Sequence, residues 1–120
     1  EIEVDFTDGN VEVDLEAEIE LGTLEVEVET ERPAADGTFS FDAFEAGTVT
    51  FTVSGTSVAL VEVAETAGWT FTVDEGEAAE GEVDIEFLNP ELFTKVELEA
   101  EVDDEDRELE VSVEITIGPG

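Results

Sequence analysis

Residues 11–20 read VEVDLEAEIE, an unbroken alternation of apolar and acidic side chains. After the short break Leu21-Gly22-Thr23, residues 24–29 continue it as LEVEVE. Successive side chains of a β-strand point to opposite faces, whereas a helix would scatter these apolar residues around its whole circumference. The stretch therefore predicts two strands joined by a tight turn, with one apolar face and one carboxylate face.

The same alternation recurs along the rest of the chain. It is broken at residues 32–37, which read as a connection between units, and at several Gly or Pro turns. The apolar members of the other alternating stretches are Ile2/Val4/Phe6, Phe39/Phe41, Val49/Phe51/Val53, Trp69/Phe71/Val73, Val83/Ile85/Phe87, Val96/Leu98/Ala100/Val102 and Leu109/Val111/Val113/Ile115/Ile117. We expect about ten strands in one all-β domain over residues 1–120, an antiparallel β-sandwich of the immunoglobulin-like type.

Two stretches depart from strict alternation. Residues 58–63 are apolar on both sides apart from Glu62, which predicts a central strand covered on both faces. Residues 90–93 predict one short turn of 3₁₀ or α structure, since a proline opens a short segment between two strands.

Residues 1–31 repeat residues 82–117. The matching pieces are 1–6 (EIEVDF) with 82–87 (EVDIEF), 13–19 (VDLEAEI) with 96–102 (VELEAEV), and 24–29 (LEVEVE) with 109–114 (LEVSVE). Any two alternating stretches are alike, but the shared order of three strands and the Phe that ends the first argue against coincidence.

The repeat has two structural interpretations. Residues 33–117 can form one full unit, preceded by the last three strands of an earlier unit, as in a tandem array. Alternatively, both three-stranded pieces belong to one sandwich as pseudo-symmetric partners. We favour the single domain, because an isolated three-stranded ribbon with one apolar face needs a cover.

The charge balance excludes several partners. The chain holds 36 acidic residues against Lys95, Arg32 and Arg107, a formal net charge of −33. Nucleic acid and anionic membrane surfaces are bound through clusters of Lys and Arg, which this chain lacks. No apolar run approaches the roughly 20 residues of a membrane-spanning helix. The absence of Cys removes disulfides, thiolate metal sites and thiol catalysis.

The acidic residues are unevenly distributed. Residues 1–31 carry 13 of them, residues 33–73 carry five, and residues 74–117 carry 18. In the middle segment the outward positions hold hydroxyl side chains instead: Thr38, Ser40, Thr50, Thr52, Ser54, Thr70 and Thr72. We expect a surface with carboxylates on the two repeated pieces and a neutral hydroxyl face between them.

Cations are the expected partners of the carboxylate faces. Alternation around the turn at Leu21-Gly22 sets acidic residues opposite one another, and each like-charged pair costs about 0.2 to 1 kcal/mol. The hypothesis is that salt or divalent cations raise stability through screening and diffuse association.

Discrete Ca²⁺ sites are the sharper version of the same hypothesis. Carboxylate and amide oxygens are the ligands that Ca²⁺ prefers, and three turns concentrate them. The candidate ligands are Asp103, Asp104 and Asp106 in one turn and Asp5 and Asp8 in another, with Asp74, Glu75, Glu77 and Glu80 as a third group. None has the spacing of an EF-hand loop, so ordinary solvated acidic turns are the favoured interpretation.

An enzyme is not expected. Of the His, Cys, Tyr and Lys side chains that commonly serve general acid–base and nucleophilic chemistry, the chain has one Lys. Carboxylate pairs can also catalyse hydrolysis, but with 36 acidic residues their presence distinguishes no catalytic pair. No cofactor is required, although Ca²⁺ or diffuse monovalent cations are candidates. Trp69 alternates in phase with Phe71 and Val73, which favours a core position over a sugar-stacking platform.

Residues 37–117 loosely resemble uncharacterised β-rich domains found near the cell envelope in actinobacteria. The resemblance rests on residues 46–50 (AGTVT), residues 60–63 (LVEV), Gly68-Trp69 and the strand at 82–87. Those domains carry basic residues on the last strand where this chain has Glu110, Ser112 and Glu114. The resemblance implies a cell-envelope setting but no function or site residues.

Three functions follow as expectations. The first is a non-enzymatic structural or adhesive module of the cell surface or extracellular space, adapted to high salt and in contact with neighbouring modules or copies of itself. The second is a filament subunit, in which residues 1–31 complete a neighbour's sheet by strand addition. The third is an engineered acidic scaffold without a natural partner, which the absence of Cys, His, Met, Gln and Tyr also fits.

Overall fold

A computed structural model describes the backbone of residues 2–8 and 11, and the backbone and side chains of residues 12–74, 81–103, 105 and 107–118. Strands make up 75% of the structure, and no α-helix occurs among the described residues, which confirms the all-β prediction. The strands are β1 (Ile2–Asp8), β2 (Val11–Glu20), β3 (Thr23–Pro33), β4 (Gly37–Asp42), β5 (Gly47–Ser54), β6 (Ser57–Glu65), β7 (Thr70–Val73), β8 (Val83–Asn89), β9 (Thr94–Asp103) and β10 (Glu108–Ile117).

The strands form two antiparallel sheets. The main sheet has seven strands in the order β1-β2-β3-β10-β9-β8-β7, and the cover sheet has three in the order β4-β5-β6. Apart from β3 and β10, all neighbours follow one another along the chain. Immunoglobulin domains have Greek-key connections, so the immunoglobulin-like form of the predicted sandwich is not confirmed.

Two predicted turns are present. Leu21 and Gly22 both have positive φ, 52° and 84°, and connect Glu20 to its pairing partner Thr23. Positive φ at both central residues is the geometry of the tight hairpin turn that matches strand twist. A 3₁₀ turn at Pro90–Leu92 connects β8 to β9, and the Asn89 side chain accepts a hydrogen bond from the Leu92 N–H at 3.3 Å.

The hydrophobic core lies between the cover sheet and β8, β9 and β10. Alternate residues of these strands point inward and are buried: Val49, Phe51, Val53, Val58, Val83, Ile85, Phe87, Val96, Leu98, Ala100, Leu109, Val111 and Val113. Ala43, Ala46 and Trp69 complete the core from connections. The prediction that Trp69 is a core residue is confirmed, since it is 7% exposed.

The prediction that residues 58–63 form a central strand is wrong. Residues 58–63 lie in β6, which is an edge of the cover sheet and not a central strand. A β-bulge between Thr50 and Phe51 of β5 leaves Val61 without a partner and 59% exposed. A bulge adds one residue to a strand and changes which side chains face inward, and this explains the two apolar faces of the sequence.

The connection predicted at residues 32–37 is shorter in the structure than the sequence indicated. β3 continues through Arg32 and Pro33, which pair with Leu109 and Glu108 of β10, and only residues 34–36 connect it to β4. Proline is tolerated here because it is the last residue of the strand, where a missing N–H does not interrupt the ladder.

The two repeated pieces carry the same pairing registers. Val4 pairs with Leu15 and Leu15 with Val28, and their repeat equivalents Ile85, Leu98 and Val113 pair in the same way. Val28 also pairs with Val113, its own equivalent, where β3 meets β10. The strands β1–β3 and β8–β10 are therefore related by a pseudo-two-fold axis that passes through the Val28–Val113 pair, normal to the sheet.

The cover sheet protects only one of these two halves. β6 approaches β8 and β9, and the Arg32 guanidinium at the end of β3 lies 5.1 Å from the centroid of the Phe41 ring of β4. The apolar face of β2 and β3, which we call the ribbon face, is half-buried or exposed. It consists of Val13, Leu15, Ala17, Ile19, Leu24, Val26 and Val28.

Candidate cation-associating face

The acidic face is the side of the main sheet opposite the cover sheet. Its residues stand in rows that run across the strands, because the registers place partners side by side. The rows are Glu12–Glu31–Glu110–Glu101, Asp14–Glu29–Ser112–Glu99–Asp84, Glu16–Glu27–Glu114–Glu97–Glu86 and Glu18–Glu25–Thr116–Lys95–Leu88. The third row is five glutamates on five neighbouring strands. Like-charged residues directly opposite each other destabilise a sheet.

Glu27, in the middle of the third row, shows the electrostatic consequence most clearly. Desolvation by its neighbours, followed by hydrogen bonding and charge repulsion from Glu29 and Glu114, raises the pKa of Glu27 to about 7. A carboxyl group in this setting holds a proton that it would otherwise release near pH 4.5. A pKa of about 7 leaves Glu27 partly protonated at near-neutral pH.

Three other glutamates of the rows are perturbed in the same direction. Desolvation is the largest cause of the raised pKa of Glu31, Glu97 and Glu110. The next cause is the charge of a nearby carboxylate: Glu108 for Glu31, Asp84 for Glu97 and Glu101 for Glu110. Repulsion between carboxylates therefore adds to desolvation at four glutamates of the acidic face, on β3, β9 and β10.

Two groups of three carboxylates come close enough to share a cation. Ligand oxygens of Glu31, Glu108 and Glu110 lie within 4.8 Å of one another, as do those of Asp84, Glu97 and Glu99. A shallow groove lined by carboxylates of β3, β9 and β10 runs beside the first group. Hard oxygen ligands of this kind suit Ca²⁺ and Mg²⁺, which retain water in their remaining positions.

The Ca²⁺ ligands predicted from the sequence lie elsewhere. Asp103 ends β9, and its carboxylate accepts a hydrogen bond from the Glu105 N–H at 2.9 Å, the geometry of an ordinary turn. Asp104 and Asp106 lie outside the described residues. The backbones of Asp5 and Asp8 belong to β1, but their side chains are outside the described part of the chain.

The structure does not bring these two predicted groups together. β1 and β9 are separated by β2, β3 and β10 in the main sheet, a distance of about 19 Å at the usual strand spacing. In the third group, the Asp74 N–H donates to the Asp84 carbonyl oxygen at 3.0 Å, and Glu75, Glu77 and Glu80 lie outside the described residues.

Five residues of the hydroxyl face predicted for the middle of the chain lie on the cover sheet: Thr38, Ser40, Thr50, Thr52 and Ser54. The prediction was wrong for Thr70 and Thr72, which lie in β7 of the main sheet, where Thr72 pairs with Glu86 of the acidic face. Thr38 and Thr52 lie 3.4 Å apart between hydroxyl oxygens, and Ser40 and Thr50 lie 2.8 Å apart. These pairs satisfy each other across β4 and β5. The surface of the molecule is therefore divided into an acidic side and a neutral side.

The sequence predicted part of the acidic face and missed the rest. Opposed carboxylates on β2 and β3 follow from their hairpin, and the register Glu16–Glu27 confirms them. The extension of the rows to Glu114 depends on β3 lying beside β10, some 80 residues away in the chain. The repeat was the signal that could have located it, since two like ribbons can pair edge to edge.

Comparisons with protein-family models, curated proteins and solved structures found no match to this chain. In the described part of the chain, no helix is long and apolar enough to cross a membrane. The function must therefore be inferred from the geometry alone.

Proposed function

We propose that this chain is a non-enzymatic structural or adhesive module of the cell surface or extracellular space, stabilised by cations on its acidic face. The observation that carries the proposal is the row Glu16–Glu27–Glu114–Glu97–Glu86, in which five carboxylates stand on adjacent strands. Such a row destabilises the folded state in dilute buffer, and it does so much less where cations are abundant.

Cations act in two ways in this proposal. Monovalent ions collect diffusely over the face and shorten the range of repulsion, from a Debye length of about 10 Å at 0.1 M salt to about 3 Å at 1 M. Divalent ions reside longest at the two carboxylate triads, around Glu110 and around Glu97. The surface location is proposed because extracellular and saline media supply both kinds of ion, and because of the resemblance to cell-envelope domains.

The broad architecture supports a structural role. The two sheets enclose a core of apolar side chains, and the pockets of the described residues are shallow grooves among carboxylates. The immunoglobulin-like form of the sandwich remains a proposal, one that strand spacing favours and the consecutive strand order does not.

Thermal unfolding in increasing NaCl tests the proposal. We expect the melting temperature to rise markedly between 0.02 and 1 M NaCl, about 3–6 °C for each ~1 kcal/mol of repulsion relieved. The double variant Glu27→Gln/Glu114→Gln removes two carboxyl groups from the third row and reduces the salt response. The matched control Glu45→Gln/Glu62→Gln removes two charges elsewhere and leaves the salt response nearly unchanged. A melting temperature that is independent of salt contradicts the proposal.

Calorimetric titration with CaCl₂ in a constant Na⁺ background separates discrete from diffuse association. Saturable heat that is reduced in Glu31→Gln/Glu110→Gln, and separately in Glu97→Gln/Glu99→Gln, indicates discrete divalent sites at the two triads. Heat that falls steadily with ionic strength indicates diffuse association.

A filament subunit is the second candidate function. The uncovered ribbon face favours it, because an apolar sheet face of this extent rarely stays in contact with water. In a filament, residues 1–31 would complete a neighbour's sheet by strand addition. On size exclusion, a filament subunit assembles into larger species as the concentration rises, whereas a single module stays monomeric.

A further inference from the structure

The ribbon face is the counterpart of a face that is covered in the same molecule. Six apolar residues of β2 and β3 have identical equivalents on β9 and β10: Val13/Val96, Leu15/Leu98, Ala17/Ala100, Leu24/Leu109, Val26/Val111 and Val28/Val113. All six equivalents are buried beneath the cover sheet. The side chains on the ribbon face are instead half-buried or exposed, and Ile19 is 73% exposed.

The pseudo-two-fold axis is normal to the main sheet, so both halves present their apolar residues on the same side. The apolar side of β8–β10, which the cover sheet buries, therefore continues across the Val28–Val113 pair onto the ribbon face. In one half of the main sheet, the three strands of the cover sheet lie over β8, β9 and β10. An equivalent cover for the other half, β1–β3, would be a three-stranded sheet with one apolar face that lies beside the cover sheet.

We propose that the ribbon face is covered by the ribbon face of a second copy of this chain, in a closed two-fold dimer. The ribbon of the second copy, β1–β3, has the required three strands. Its β2 and β3 supply the required apolar face, and the carboxylates of these two strands lie on the opposite face, away from the contact. The contact is isologous, since each ribbon is at once the surface and its cover.

The sheet edges fit this arrangement. Among the described strands, β1 pairs only with β2 and β4 pairs only with β5, so each has one free edge. Arg32 places β4 on the side of the cover sheet nearest the ribbon, with its guanidinium carbon 5.9 Å from the Phe39 ring centroid. In the dimer each β1 edge comes to lie beside the partner's β4 edge, and two ten-stranded layers result.

The size of the contact predicts moderate affinity. Three strands about 4.8 Å apart and about nine residues long at ~3.3 Å per residue span roughly 14 by 30 Å. Two such faces bury at least ~840 Å², close to the ~1,000 Å² expected of the smallest specific interfaces. Because each chain has a formal net charge of −33, we expect a dimer dissociation constant of about 20–100 µM in 1 M NaCl and weaker dimerisation in dilute buffer.

Sedimentation equilibrium of the full chain from 1 to 200 µM in 1 M NaCl tests the dimer. We expect a monomer–dimer equilibrium with no larger species. Ile19→Asp introduces a charge on the ribbon face at a side chain that is already 73% exposed, so folding is retained and dimerisation weakens at least tenfold. The control Val61→Asp makes the same change at a 59% exposed position on the cover sheet and dimerises like the original chain.

Hydrogen exchange supplies a second readout. We expect the amides of residues 37–42 in β4 to exchange more slowly at 200 µM than at 1 µM, and this difference to vanish in Ile19→Asp. A chain that is monomeric throughout, or that forms an open series of larger species, overturns the proposal. So does equal dimerisation of Ile19→Asp and Val61→Asp. The salt test of the proposed function is performed at 1 µM, where the chain is monomeric, so the two proposals fail independently.

Discussion

Gly47, at the start of β5, is a position where the backbone of a neighbouring strand leaves no room for a side chain. A Cβ at this position would overlap the carbonyl oxygen of Ala64 in β6, and that oxygen belongs to a paired strand that cannot move aside. We expect Gly47→Ala to lower the free energy of unfolding by about 2 kcal/mol or more, because the two backbones are too close together at this point for any side chain. Urea unfolding followed by Trp69 fluorescence measures it.

Gly55, in the turn between β5 and β6, is the matched control. Its φ is +62°, but a Cβ there would meet nothing within 4 Å. Gly55→Ala should therefore cost only the ~1–2 kcal/mol of placing an L-residue in the left-handed region. If Gly47→Ala were as mild as Gly55→Ala, the tight approach of β5 and β6 at Ala64 would be incorrect.

Leu98 and Leu15 are repeat equivalents in two elements that differ mainly in cover. Leu98 of β9 is 0% exposed beneath the cover sheet, whereas Leu15 of β2 is half-buried on the ribbon face. We expect Leu98→Ala to cost about 2–5 kcal/mol, because it leaves a cavity in a packed core. Leu15→Ala should cost about 1 kcal/mol or less, since water and neighbouring side chains can occupy the space.

This comparison is made by urea unfolding at 1 µM, where the chain is monomeric. Two equal losses at that concentration would mean that β2 is as well covered as β9, and the division of the main sheet into covered and uncovered halves would be wrong. Repeating the Leu15→Ala measurement at 200 µM adds the effect of the second copy, and we expect the loss to grow there.

The strands themselves were predictable from the sequence, but the order of β3 and β10 in the main sheet was not. Period-two alternation located nine of the ten strands, and the apolar run at residues 58–63 located β6. The turn at Leu21-Gly22 fixed the register of β2 and β3, because local pattern determines strand and hairpin. The local pattern could not place β3 beside β10, since edge pairing between distant strands leaves no local trace. It also misread residues 58–63, because a bulge that exposes Val61 looks in sequence like a strand covered on both faces.

The candidate site was predictable only in its chemistry. The excess of Glu and Asp indicated cations, but the sequence suggested turns such as Asp103 to Asp106, where acidic residues are consecutive. The structure concentrates carboxylates across strands, and residues such as Glu31 and Glu110 are 79 positions apart in the chain (110 − 31). Alternation fixes which face a carboxylate occupies, but only the sheet order fixes its neighbours.

At the scale of the whole molecule, the crowded acidic face predicts an unusual dependence of stability on pH. The pKa of Glu27 is raised to about 7, and those of Glu31, Glu97 and Glu110 are raised in the same direction. In the unfolded chain these groups titrate near pH 4.5, so the folded state binds more protons between that pH and about 7. Their contribution to stability is fully present below pH 4.5 and is lost as the pH rises through the folded-state values.

We therefore expect the melting temperature in 0.02 M NaCl to fall as the pH is raised from 4.8 to 7.5. In most proteins, by contrast, paired carboxylates stabilise the folded state over this range. Glu27→Gln keeps the shape of the side chain and removes its titration, so the fall should become shallower. Glu62→Gln, on the cover sheet, should leave the fall unchanged. Because desolvation is the largest cause of the Glu27 shift and salt screens only the repulsion, 1 M NaCl should reduce the fall without abolishing it. A melting temperature that rises over this range would mean that the carboxylate rows are not formed as the registers place them.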